Sequence, residues 1–412
     1  VAFRVKEVER KLVHLIRSSP KDGGRAQLNS RPYMLPGDPF PKYEVNIFHV
    51  GSREQLKPQV DAFEHEWLRP RVRFCRDGER FSYDYDLPND IAYAETCAAI
   101  GLVFWAQRMV QFTADSRYTD VLERALYNGV ISGVSLDGTR FFYANPLEAN
   151  PAAYAGRPDQ YHKAAMSFTR QGWFDCACCP PNIARLLADL GEYAYSQGEG
   201  QAYVHLYASG SAALDLGGMK ITLQQETDYP WGEEVRLTVQ PEREAEFTLA
   251  LRIPGWCRGA TIMVNGQPVQ PPVDKGYARI QRRWRAGDVV TMRLPMPIER
   301  VEAHPAVRHD CGRVALQRGP LVYCLEEADN GPDLNDLALP RDAQLQAAFD
   351  PNLLGGVTTI TGQVVRRDRS RWQDALYLPA PTERVMVPIK AIPYYAWANR
   401  APGEMLVWVR EG

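Results

Sequence analysis

The octapeptide DCACCPPN, residues 175–182, sets Cys176, Cys178 and Cys179 within four positions and runs directly into Pro180 and Pro181. Thiols this concentrated bind a metal, carry out thiol chemistry, or are inert. Two adjacent cysteines on a regular helix or strand cannot both point one way. From an irregular loop both can reach one ion, and a loop ended by two prolines supplies that irregularity. Zinc prefers a tetrahedral set of Cys, His or carboxylate donors, so the octapeptide needs partners from elsewhere in the chain. The best partners stand in AETCAAIG, residues 94–101, where Glu95 and Cys97 are two apart. In a regular helix that spacing separates them by roughly 200° around the axis. In an extended or distorted lead-in they face the same side. The spacing predicts a helix that starts after Thr96, or one with an irregular first turn, and a donor set of Glu95, Cys97, Cys178 and Cys179.

A bound zinc ion holds its thiols deprotonated, which makes a poised sulfur nucleophile. A nearby carboxyl group then serves as acid and afterwards as base, as in a retaining glycosidase. Glu79, Asp84, Asp86 and Asp90 in GERFSYDYDLPND are the candidates for it. Plainer readings stand beside this one. The zinc site is structural, or Cys178 and Cys179 form a vicinal disulfide, or the acidic run is a solvated turn. Cys75, Cys257, Cys311 and Cys324 read as small buried hydrophobes. His14, His65 and His205 read as packing or surface residues, and HEWLRP, from His65, lacks the second histidine of a HExxH zinc motif. A redox CxxC made of Cys176 and Cys179 needs a βαβ context that the pattern does not show.

The elements that must position these residues change character along the chain. Up to about residue 196 the pattern is mainly helical. VKEVERKLVHLI repeats apolar residues on one helical face. A helix is expected over NDIAYAETCAAIGLVFWAQRMVQF from Asn89, opened by Asn/Asp cap chemistry. Others are expected over YTDVLERALYNGVISGVSL from Tyr118 and over PPNIARLLADLGEYAYS from Pro180, where proline suits a first turn. FFYANPLE, residues 141–148, reads as a short strand or turn. After about residue 200 the period becomes two: MKITLQQ, EVRLTVQP, EFTLALRIPGW and ATIMVNGQPV, with VNGQ as a hairpin turn. RVALQRGPLVYCLE, VTTITGQVVRR, RVMVPIKAIPYYAW and MLVWVR form a second series from about residue 300. Short strands at this spacing predict two β-sandwiches.

The 412 residues, 45% hydrophobic and 24% charged, provide for a globular protein of two or three domains. The net charge of −2 comes from scattered rather than clustered Lys and Arg, so nucleic acid is not an expected partner. No apolar run approaches the roughly 18 residues of a membrane span. Eight cysteines are far too few for a disulfide scaffold of this length, and three of them share one octapeptide, which fits a reduced, cytoplasmic protein.

YDLPND, AYAETCAAIGL, VLERALYNGVISGVSLDG, FFYANPLE and WFDCACCPPNIARLLADLGEY together resemble glycoside hydrolase family 127, whose characterised type is the bacterial β-L-arabinofuranosidase. TDYPWGEEVRLTV, FTLALRIPGWC and VALQRGPLVYCLE resemble the β-domains of that family, and the resemblance runs from about residue 75 to 412. It implies an (α/α)6-toroid-like helical catalytic domain followed by two β-sandwich domains. On this chain these are a partial toroid over 1–197 and sandwiches over 198–300 and 301–412. It implies a zinc ion on Glu95, Cys97, Cys178 and Cys179, Cys178 as the nucleophile, Glu79 of GERF as acid/base, and Tyr143 as a sugar contact. The implied activity is zinc-dependent, retaining hydrolysis of β-L-arabinofuranosides or related sugars in a small oligosaccharide or glycoside. Residues 41–74 do not resemble the family's approach to GERF, and the family's GHA-type motif does not occur. A catalytically inactive carbohydrate-binding or structural zinc protein of the same fold is therefore the alternative. An incomplete toroid exposes apolar helix faces, which favours association, for instance as a homodimer.

Overall fold

The computed structural model of the chain describes residues 28–33, 42–47, 84–154, 168–174, 176–198, 200–370, 372, 375–379 and 383–412. It divides into two compact units, Val1–Leu87 and Pro88–Gly412. In the first, Leu28–Tyr33 (β1) pairs antiparallel with Lys42–Ile47 (β2). The helix expected over VKEVERKLVHLI, with His14, His65, Cys75 and Glu79, lies outside the described residues.

The second unit opens with helices. Thr96–Thr113 (α1) buries Ile100, Val103, Phe104, Met109 and Val110 and stops at Ala114, which adopts a left-handed conformation (φ 48°). The helix expected from Asn89 thus begins seven residues later. Glu95 is extended (φ −63°, ψ 135°) and pairs with Ala144 as a bridge, and the Thr96 N–H donates to the Tyr143 carbonyl at 2.9 Å. A tertiary pairing has overridden the cap chemistry of Asn89 and Asp90. Ser116–Arg124 (α2) is capped by Asp115, whose carboxylate accepts from the Arg117 N–H at 3.1 Å. The continuous helix expected from Tyr118 breaks at Ala125 into a wide π turn, Ala125–Val130, and a 3₁₀ turn, Ile131–Gly133. Within it Asn128 donates to the Arg124 and Pro320 carbonyls, both at 2.9 Å, and accepts from the Val322 N–H at 2.8 Å. Cys179–Ala188 (α3) has Pro180 and Pro181 in its first turn. The segment between α2 and α3 contributes a short strand, Glu148–Ala149 (β3).

Two sheets share the next core. One orders Gln267–Val269, Thr261–Val264, Asp288–Arg293, Glu234–Pro241, Lys220–Thr227 and Gly210–Asp215. The other orders Val273–Asp274, Tyr277–Trp284, Ala245–Arg252, Gln201–Val204 and Tyr195–Gly198. Val235, Leu237 and Val239 of the first sheet meet Phe247, Leu249 and Leu251 of the second in one apolar cluster, the sandwich that the alternating pattern predicts. Asn265 and Gly266, at φ 50° and 77°, make the two-residue turn expected from VNGQ.

The last β region departs from expectation. Arg313–Arg318, Val409–Glu411, Ala338–Leu339, Val357–Arg367, Arg384–Pro393 and Leu321–Glu326 are hydrogen-bonded in that order, and the last pairs with the first. The sheet therefore closes on itself instead of splitting into two facing layers. Its two longest strands, eleven and ten residues, are long enough to curve around the ring. Val314, Leu316, Tyr323, Leu325, Ile360 and Val409 fill its interior. The alternate residues Ala315, Cys324 and Ile392 share a second cluster with Phe142 and Ala149 of the helical segment.

Buried cations fasten the helical segment to both β regions. Arg252, wholly buried, bonds Asp120 at 2.7 Å and also Glu123, both on α2. Arg170 stacks its guanidinium over Phe142 and donates to the carbonyls of Ser132, Tyr395 and Trp397, with Trp397 at 2.6 Å. Beside Arg252, His205 is buried with its two ring nitrogens each 2.7 Å from a hydroxyl, those of Ser196 and Tyr277. It is the packing residue that the sequence pattern suggests. Burial, aided by the Arg252 charge, lowers its pKa to about 3. The unfolded chain therefore takes up a proton below about pH 6.5 that the folded chain refuses, and stability falls with pH through that window. Between pH 7 and 5 this group is expected to cost about 2 kcal/mol. Urea unfolding at the two pH values checks it: His205→Gln should lose that part of the slope, and an unchanged slope would rule the assignment out.

Candidate metal centre

Glu95 is the residue before α1 and Cys97 is the second residue within it, while Cys178 precedes α3 and Cys179 begins it. The extended backbone at Glu95 turns its carboxylate toward the side that Cys97 faces, as the two-residue spacing requires. Pro180 and Pro181 have no N–H, so the first turn of α3 has fewer orphan donors to be capped, and no side chain caps this helix. The sulfurs of Cys178 and Cys179 are thereby left free for other work.

The donor atoms of Glu95, Cys97, Cys178 and Cys179 all lie within 4.8 Å of one another. Among the described residues this is the one cluster of three or more Cys, His, Asp or Glu side chains close enough to share an ion. Cys97 Sγ is 3.6 Å from Cys179 Sγ, which is 3.8 Å from Cys178 Sγ, and Cys178 Sγ is 3.5 Å from Glu95 Oε1. A tetrahedron with zinc–sulfur bonds of about 2.3 Å and zinc–oxygen bonds of about 2.1 Å has S···S edges near 3.8 Å and S···O edges near 3.6 Å. Three of the six edges match, and the remaining donors lie within 4.8 Å of one another, so the donor set suits zinc. They do not fit a disulfide, which needs sulfurs about 2.05 Å apart, and all three cysteines are free thiols.

Electrostatics leads to the same donor set. Hydrogen bonds from Cys178, Cys179 and the Asn182 amide pull Cys97 down to about 4, against the opposing effect of burial. Cys179 is driven the other way by its hydrogen bonds to Cys178 and Cys97 and by burial. Sulfurs this close cannot all ionise unless a cation shares the site. Asn182 donates from Nδ2 to Cys97 Sγ at 2.9 Å.

The surrounding packing holds the ligands from behind. Asn145 donates to Thr96 Oγ1 and accepts from Ser132 Oγ, both at 2.9 Å, and Thr96 Oγ1 in turn donates to the Phe142 carbonyl. Thr96, fully buried between two ligands, lies against Gly133. A Cβ at Gly133 would sit 2.5 Å from Thr96 Cγ2 and 2.7 Å from its Oγ1. Gly133→Ala is therefore expected to cost about 1–3 kcal/mol of stability through overpacking, and, if the cluster holds a metal, to weaken its binding about 10- to 100-fold by displacing the support of Glu95 and Cys97. A chelator-competition titration checks this. Thr96→Ala added to Gly133→Ala should recover part of both losses; no recovery would mean that the clash lies elsewhere.

Tyr143, expected as a sugar contact, does border the cluster. Its carbonyl is 3.9 Å from Cys179 Sγ, and its ring packs edge-on to Tyr93 and Phe174. Burial and the Tyr93 hydroxyl push its phenol far above the usual range. Of the cysteines read as buried hydrophobes, Cys257 and Cys324 are buried, but Cys311 is exposed. It follows a one-turn 3₁₀ helix, Arg308–Asp310, in an irregular stretch without the alternation that buries Cys324. Asn182, Thr96 and Asn145 went unnoticed in the sequence. Their only local signal is their placement, one at the end of CCPPN, one between two ligands and one in FFYANPLE.

Comparison with known proteins gives this geometry its context. Residues 65–192 match the family model described as Beta-L-arabinofuranosidase, GH127 catalytic domain. Residues 201–296 match the GH127 middle domain, and 298–410 the glycoside hydrolase family 127 C-terminal domain. A non-reducing end beta-L-arabinofuranosidase of Bifidobacterium longum is 40% identical over 388 residues, covering 89% of this chain and 58% of that protein. A solved GH127 beta-L-arabinofuranosidase from Geobacillus stearothermophilus superposes with a TM-score of 0.82 at 52% identity, over 87% of this chain and 57% of the other. A second solved GH127 beta-arabinofuranosidase gives 0.75 at 36% identity, over 87% and 58%. The chain thus spans less than two thirds of the length of these relatives. With the catalytic, middle and C-terminal domain models matched in succession, the chain belongs to glycoside hydrolase family 127.

Proposed function

We infer that this chain carries the zinc-centred, thiol-bearing part of a retaining glycoside hydrolase acting on β-L-arabinofuranosides or related sugars. In this reading residues 1–197 belong to an (α/α)6-type catalytic domain, and 198–300 and 301–412 support it. The observation that carries the reading is the burial of the four clustered side chains. Glu95, Cys97 and Cys179 are buried, and Cys178 alone is partly exposed, as a reacting sulfur must be.

Glu95, Cys97, Cys178 and Cys179 would hold the zinc, which when bound keeps the thiols ionised at neutral pH. The rest is done by the chain's own groups. Glu79 protonates the departing glycosidic oxygen as the Cys178 sulfur attacks the anomeric carbon from the opposite face, giving a thioglycosyl intermediate. Glu79 then takes a proton from water, which displaces the sulfur, and two inversions give net retention. Tyr143 lines the approach.

The test is hydrolysis of p-nitrophenyl β-L-arabinofuranoside by protein of measured zinc content, with the first-formed anomer identified by NMR. Turnover with the β-anomer released first, lost on chelation and restored by zinc, is the expected result. No turnover on a panel of furanosides and pyranosides at one zinc per chain would leave a silent structural zinc protein as the better description.

A further inference from the structure

Three sulfurs and a carboxylate around one divalent cation leave two excess negative charges in a largely buried place. Such excess is tolerated only where hydrogen-bond donors share it. Asn182 supplies one. It is 5% exposed and lies on α3 one turn beyond Cys178, and its Nδ2 is 2.9 Å from the sulfur of Cys97, which is 2% exposed. The amide can face the sulfur only through its nitrogen, because its oxygen has no proton to offer a thiolate. Cys178, on the exposed side of the cluster, has Glu95, Cys97, Cys179 and the Cys176 thiol as side-chain neighbours, and Glu95 adds negative charge. The two sulfurs are thus treated differently: Cys97 is damped by an amide N–H, whereas Cys178 meets only other thiols and a carboxylate.

We propose that Asn182 is a positioning residue that fixes Cys97 as a spectator ligand of the metal, so that the reactive thiolate is Cys178. The proposal rests on the zinc reading above, but its measurement does not need turnover. Charge donated from Cys97 Sγ to the metal falls when an N–H bonds that sulfur, so losing the bond should change both affinity and the sulfur-to-metal electronic transition.

The experiment compares the full chain with Asn182→Ala and Asn182→Asp. The second keeps the size of the side chain, so a packing defect in the first does not decide the matter. Zinc affinity is measured by competition with a chromophoric chelator. Cobalt(II) is then substituted, and its thiolate-to-cobalt band and visible d–d bands are recorded. The expected result is a 10- to 100-fold loss of zinc affinity in Asn182→Ala, a larger loss in Asn182→Asp, where a carboxylate faces the sulfur, and a shifted charge-transfer band in both. Affinity within twofold of the parent and an unshifted band in both variants would overturn the proposal. A parent that takes up no zinc or cobalt would instead remove the metal reading, and the proposal with it.

Discussion

Cys178→Ser is expected to lower turnover of p-nitrophenyl β-L-arabinofuranoside by about four orders of magnitude or more, the scale on which a lost nucleophile acts. A serine hydroxyl ionises far less readily than a thiol and is a poorer nucleophile at the same position. Cys97→Ser and Cys179→Ser should also lose activity, but through lost metal, because both sulfurs are buried in the donor set. Measuring bound zinc separates the two causes. At saturating zinc, Cys178→Ser should stay inactive. Glu79→Gln should fail differently. p-Nitrophenol leaves without much acid assistance, so the first step survives while water is no longer activated. Mass spectrometry should find the sugar on Cys178, and azide should restore part of the rate. Activity of Cys178→Ser within tenfold of the parent would end the assignment of that sulfur as the nucleophile.

Arg252→Leu is expected to destabilise the protein by about 3–5 kcal/mol, because it strands buried carboxylate charge without its partner. Arg252 is wholly buried and meets Asp120 and Glu123 together, and Glu123 also accepts from Tyr229 at 2.6 Å and from the Trp256 indole at 3.1 Å. Burial already raises the pKa of Asp120. The remaining Tyr and Trp donors cannot replace a cation. Urea unfolding at pH 7 measures the loss, and Glu123→Gln in the same background should return part of it by removing the stranded charge. A loss below about 1 kcal/mol would mean that the carboxylates reach water once the guanidinium is gone.

Much of the metal centre was readable in the sequence, because each half of it is local. CACC places two sulfurs at one helix start, and ETC demands an extended residue just before a helix. What was not readable is how the halves meet. Glu95 is extended because it pairs with Ala144, forty-nine positions away, and no pattern around Asn89 encodes that pairing. Asn182 is a helix-surface asparagine until Cys97 arrives from another helix. The alternating strands were legible by period, since a side chain's face depends only on its own neighbours. Closure of the last sheet was not, because the strands that meet are chosen by long-range pairing. The same strands would satisfy the pattern as two layers. Glu79 lies outside the described residues, so its role rests on resemblance and on the variant above.

The strand Glu148–Ala149 has a consequence at another scale. It joins the last sheet beside Met405–Leu406, and Asn335 of that region donates to the Glu148 carboxylate. Four and five residues upstream, Ala144 and Tyr143 hold the Glu95 lead-in. Glu95, the first residue of the candidate cluster, is thus reached from the C-terminal sheet along one short, continuous piece of backbone. A gene rearrangement that traded this β region for another would have to bring its own strand partner for Glu148–Ala149 and its own carbonyls for Arg170. Heredity should therefore pass the helical segment and the C-terminal sheet on as one block, and recombination within the family should succeed by exchanging what flanks the block.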